Sequence, residues 1–156
     1  MIRALAELPS TTARHTVDFW AGTALDGGRP AVRLAWVPRA AASARDPKAA
    51  QVTAVLTRGD ARVFEGPVDP AGTTVAVPPG AVKVTLSVHD GNGEVIDREA
   101  KLIDVPDPEA SPLWITSPAI FRAQNVREFR GLERGPTAMP FPGREFVRTD
   151  RLIIQF

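Results

Sequence analysis

Few side chains in this sequence are equipped for chemistry. Its 156 residues include two histidines, no cysteine and no tyrosine. His15 and His89 lie far apart, so no pair sits at the close spacing of a zinc site, and the lack of cysteine excludes thiolate ligands and disulfides. A catalytic triad would have to use one of these histidines, but no Gly-x-Ser-x-Gly elbow supplies a nucleophile. No glycine loop of the Gly-x-x-x-x-Gly-Lys type cradles a phosphate. Asp90, Asn92, Glu94 and Asp97 have the alternate spacing that opens a calcium loop. Such a loop closes on a bidentate carboxylate at its twelfth position, and that position is Lys101. Asp90-Gly91-Asn92-Gly93 is therefore read as a reversal without metal, and Arg58-Gly59-Asp60 as a turn that only spells a receptor-binding tripeptide. No catalytic residue, cofactor or metal is expected.

Binding chemistry is also sparse. Arg122, Arg127, Arg130 and Arg134 give a basic stretch, but Glu128 and Glu133 lie within it and the net charge is +1. That pattern reads as a solvated, partly paired helix face and not as a nucleic-acid surface. No apolar run approaches the roughly 20 residues of a membrane helix, so no membrane insertion is expected. The first fifteen residues lack the apolar core of a signal peptide, being interrupted by Arg3 and Glu7. Trp20, Trp36 and Trp114 are the tryptophans. Trp36 falls on the apolar face of its strand. Trp20 or Trp114, if exposed, would provide the stacking platform of a carbohydrate-binding module.

The elements that must carry these residues are strands. In Ala81 to Val88 the apolar Val82, Leu86, Val84 and Val88 alternate with Lys83, Thr85, Ser87 and His89, which predicts a strand with one dry and one wet side. The Asp90–Gly93 turn then returns the chain along a second arm to about Val105. Similar signals predict strands at 17–20, 31–37, 51–57, 61–65 and 73–77. Fifteen prolines and twelve glycines, spread along the chain, leave little room for long helices. About seven short strands with turns roughly every ten residues indicate an all-β chain, an immunoglobulin-like or fibronectin type III-like antiparallel β-sandwich over residues 17–105. Its predicted core is Val32, Leu34, Trp36, Val52, Leu56, Val63, Val75, Val77, the dry face of 81–88, Val95 and Leu102. Residues 1–16 read as a lead-in. Three prolines make 106–112 a stiff linker.

Residues 113–156 are expected to form a C-terminal extension with a short helix over 122–133, in which Val126, Phe129 and Leu132 share one side, and one or two strands. Two strands and a helix do not bury a core of their own. The extension must dock on the sandwich, pair with another chain, or begin a second β domain, which is the favoured expectation. Leu152, Ile153, Ile154 and Phe156 form the candidate interaction edge, since an unpaired apolar strand recruits partners, including a second copy of the chain.

VRLAWVP, residues 32–38, resembles the tryptophan-bearing second strand of fibronectin type III domains, although the family's usual later tyrosine is missing. DFWAGTALDGGRPAVRLAWVPR, VFEGPV, VPPGAVKVTLSVHDGNGEVIDREAKLIDVPD, ITSPAIFRA and GREFVRTDRLIIQF together resemble the region downstream of the A domain in bacterial von Willebrand factor A-related proteins, over residues 17–156. The Asp-x-Ser-x-Ser metal motif of that A domain does not occur here. The resemblance implies a non-enzymatic accessory module of a larger, exported protein, secreted or attached to the cell envelope, acting as a spacer or in contact with a neighbouring domain or partner protein. A cytoplasmic location is the alternative.

Overall fold

A computed structural model describes residues 15–40, 43, 46–110, 115–134 and 139–156. Strand β1 (Val17–Asp26) runs well past the predicted end at Trp20. Gly27 and Gly28 both take positive φ, 56° and 80°, which a two-residue turn of this hand requires and which glycine adopts without steric cost. The chain returns as β2 (Arg29–Pro38). Then follow β3 (Gln51–Arg58), β4 (Ala61–Pro67), β5 (Thr73–Ala76), β6 (Gly80–His89) and β7 (Val95–Val105). All pairings are antiparallel. One sheet has the order β1-β2-β5 and the other β4-β3-β6-β7. Their facing sides share one hydrophobic cluster that includes Val32, Leu34, Trp36, Val52, Leu56, Val82, Val84 and Leu86. Each such side chain contributes about 1.5–3 kcal/mol on burial. Trp36 is buried, and its indole Nε1 donates to the Val68 carbonyl at 2.9 Å, so its one polar atom is satisfied.

Two predicted core residues are on the wrong side. Val82 pairs with Ile103 and Lys83 with Leu102, so Ile103 and Val105 point inward while Leu102 is 70% exposed. The register shifts between Val88 and His89, which leaves Val95 exposed as well. A slip of one residue exchanges the faces of a strand, and the two apolar residues Leu102 and Ile103 fit either register on periodicity alone. Val63 is only partly buried and packs at the margin of the cluster.

With that register, the inward positions of β7 also include Asp97, Glu99 and Lys101, which pair across from Val88, Leu86 and Val84. These charges meet β1 at the rim of the sandwich. The Thr16 amide donates to Asp97 Oδ2 at 2.8 Å, and Lys101 Nζ donates to the Ala21 carbonyl at 2.9 Å. Inward charges on an edge strand block sheet extension, and here they also tie the two sheets together.

Beyond the sandwich, β8 (Ala119–Ala123) and β9 (Arg151–Gln155) form a two-stranded antiparallel sheet, joined through α1 (Val126–Glu133). The helix begins later than predicted, because Asn125 caps it: its side chain accepts from the Glu128 amide at 2.9 Å, and Glu128 Oε2 accepts from the Gln124 amide at 2.8 Å. Reciprocal bonding of this type fixes a helix start. No residue of α1 is fully buried, and Val126 is exposed.

Candidate functional site

The alternation of β1 and β2 that fills the core also creates a second buried face. On the reverse side, Asp18, Trp20, Gly22 and Ala24 pair with Val37, Ala35, Arg33 and Ala31. Ala24, Ala31 and Ala35 are buried although they point away from the sandwich core. The extension lies over them. Trp20 Nε1 donates to the Pro118 carbonyl at 3.0 Å. The Thr23 amide donates to Ser117 Oγ at 3.0 Å, and the Ser117 amide donates to Thr23 Oγ1 at 2.9 Å. Ala119, Phe121 and Ala123, on one side of β8, are buried. Strands covered on both faces read as apolar throughout, and the small residues of this face allow the backbones to approach.

Between the rim of the sandwich and the extension lies a cleft of about 1040 Å³. The ends of β1 and β2 supply Asp18, Val37, Pro38 and Arg39, the following loop supplies Lys48, β8 supplies Arg122, and the last loop supplies Phe141 and Arg144. Asp18 is buried and is held by Arg39, whose Nε and Nη2 lie 2.7 and 2.5 Å from Oδ1, with Arg144 Nε at 3.7 Å. A charge-assisted pair of this type neutralises a carboxylate that burial would otherwise penalise. The Arg122 guanidinium stacks over the Phe141 ring at 3.8 Å, a cation–π contact that leaves its in-plane N–H groups available. A second hollow of about 530 Å³ adjoins the first and shares Val37, Pro38, Arg122 and Phe141 with it. The two hollows are neighbours, both lined by the Arg122–Phe141 stack, and are together called the groove.

The histidines and the turn carboxylate singled out from sequence are placed as follows. His15 Nδ1 faces Asp97 Oδ1 at 3.3 Å, and the Thr16 hydroxyl faces the same carboxylate, so the histidine does not activate that hydroxyl. His89 lies elsewhere, between Thr53 Oγ1 at 3.0 Å and the Gly93 carbonyl at 3.3 Å. Asp90 accepts from the amides of Asn92 and Glu94 at 2.8 and 2.9 Å, which commits its carboxylate to the turn. No cluster of three or more metal-ligating side chains occurs among the described residues.

The candidate edge is placed as follows. β9 pairs with β8 alone among the described residues. Leu152 and Ile154 share one side of it and are exposed, Ile153 is half-buried, and Phe156 just beyond is 77% exposed. Of the two open tryptophans, Trp20 is half-buried with its ring against Gly22 and its N–H engaged by Pro118. Trp114 lies outside the described residues. Arg122, assigned from sequence to a basic helix face, sits instead on β8 in the groove. The groove itself was not anticipated. The available signal was the run of alanine and glycine on the side of β1 and β2 expected to be wet, where a solvated strand carries polar residues. Compared with known protein families, with characterised proteins and with solved structures, the chain matches none.

Proposed function

We propose that this chain is a non-enzymatic, fibronectin type III-like module that works by protein contact or as a spacer within a larger exported protein, as its resemblance to the region downstream of the A domain in von Willebrand factor A-related proteins implies. The division of seven strands into β1-β2-β5 and β4-β3-β6-β7 supports the fold assignment. It differs from the immunoglobulin constant arrangement in that the fourth strand pairs with the third and not the fifth. The observation that carries the functional reading is the side of β9 that no strand covers among the described residues, which presents Leu152, Ile154 and Phe156 to solvent beside backbone groups that β8 does not use. A strand edge of this type accepts an added strand, with main-chain hydrogen bonds giving affinity and alternate side chains giving selectivity. The test is Ile154→Lys combined with Phe156→Ser, followed by light scattering across a concentration series. The expected result is loss of self-association or of the tendency to aggregate, with an unchanged circular dichroism spectrum. If parent and variant are equally monodisperse at all concentrations, the edge is not a contact surface.

A further inference from the structure

We infer that the groove between the sandwich and the extension takes an acidic, extended peptide segment of a partner protein. Charge is the first reason. Lys48, Arg122 and Arg144 line the larger hollow together with the carboxylates of Asp46 and Glu145, of which Asp46 accepts from the Ser43 amide and hydroxyl at 2.9 Å each; no carboxylate lies within ion-pair distance of Lys48 or Arg122 among the described residues. The carboxylate most deeply set in the wall, Asp18, is already held by Arg39. Arginine presents a planar fork that matches a carboxylate, and Phe141 fixes the plane of Arg122 from one side, which reduces the ordering cost when an anion docks on its edge.

Shape is the second reason. Two adjacent hollows of about 1040 and 530 Å³ exceed what a single small anion fills. Val37 and Pro38 line both and provide apolar contact alongside the cations. An extended segment with alternating acidic and apolar side chains satisfies both features, because successive residues of a strand face opposite ways. A saccharide fits less well, since Phe141 is already covered by Arg122 and Trp20 is engaged by Pro118. The groove is distinct from the β9 edge and does not depend on it.

The experiment is selection of a phage-displayed random decapeptide library on the full chain, followed by anisotropy titration of the enriched peptides made with a fluorescent label. The expected outcome is enrichment of Asp and Glu, an affinity that falls at least about tenfold between 0.05 and 0.5 M salt as screening shortens the range of the cations, and a further loss of about tenfold or more in Arg122→Gln and in Arg144→Gln. Arg144 is 75% exposed, so its variant keeps the fold if Arg122→Gln does not. Arg62→Gln and Arg127→Gln, which remove equal charge outside the groove, should bind as the parent does. Enrichment of neutral or basic peptides, no enrichment, or equal loss in the control variants overturns the inference. So does full displacement of the peptide by millimolar inorganic phosphate or by polygalacturonate, which would assign the groove to a simple anion or to an acidic polysaccharide.

Discussion

Replacing Gly22 with alanine tests whether the extension packs on the outer side of β1. Gly22 does not need positive φ, so alanine is conformationally acceptable there. At a strand position with open space, Gly→Ala stabilises by about 0.4–1 kcal/mol, because the unfolded chain loses freedom. Here the new Cβ would lie 2.4 Å from Trp20 Cζ2, 2.6 Å from Cη2 and 2.7 Å from Ser117 Cβ. The ring must swing out and Ser117 must retreat, which strains the Trp20–Pro118 and Thr23–Ser117 hydrogen bonds. Overpacking of this type costs about 1–3 kcal/mol, which outweighs the entropic gain and reverses the sign. The assay is urea unfolding followed by tryptophan fluorescence, with the denaturant slope checked for constancy. Gly91→Ala is the control: nothing lies within 4 Å of its added Cβ and its φ is not positive. The expected order of midpoints is Gly22→Ala below parent, with Gly91→Ala at or slightly above it. A Gly22→Ala protein as stable as the parent would mean that residues 115–118 do not rest on β1.

Two further measurements address the register of β7 and the turn before it. Ile103→Ala should cost about 2–5 kcal/mol by opening a cavity, whereas Leu102→Ser should change stability by less than about 0.5 kcal/mol; thermal or urea unfolding distinguishes them, and the reverse order of losses would place β7 in the other register. Asp90 is held below its ordinary pKa of 3.8 mainly by the Glu94 amide and next by the Asn92 amide. Its ionised form is favoured in the folded turn, so its contribution is present above the unfolded pKa and is lost as pH falls through the lower folded value. A carboxyl NMR titration should give an Asp90 midpoint below 3.8, and a midpoint at or above that value would contradict the turn's hydrogen bonding.

The sandwich was largely legible because its core strands obey a period of two with turn residues between them. Val82, Val84, Leu86 and Val88 are all buried, and Val32, Leu34 and Trp36 face them from β2. The failures at Leu102 and Val95 arise where the period is degenerate. In β7 the inward face mixes Ile103 and Val105 with Asp97, Glu99 and Lys101, so no clean alternation exists to read. Asp97 and Lys101 bond across the rim to Thr16 and Ala21, and Glu99 lies 3.9 Å from His15, contacts about eighty residues away in sequence that no local pattern reports.

The docking of the extension on the outer side of β1 and β2, which was not the favoured expectation, and the groove escaped for a related reason. A half-buried strand is recognised by polar residues on its wet face, and β2 offers Ala31, Arg33, Ala35 and Val37 there. Alanine is compatible with either side, so the pattern does not announce a second layer. Its burial becomes meaningful only once Ser117, Pro118 and Phe121 are known to lie above it. The same covering layer makes Arg122 a groove residue. It shares β8 with Phe121, and adjacent residues of a strand face opposite ways: Phe121 is buried while Arg122 is left at the opening, over Phe141. The site therefore depends on the docking of the extension. A substitution that loosens Gly22 from Ser117 should weaken peptide binding at Arg122 even though it touches no cation of the groove.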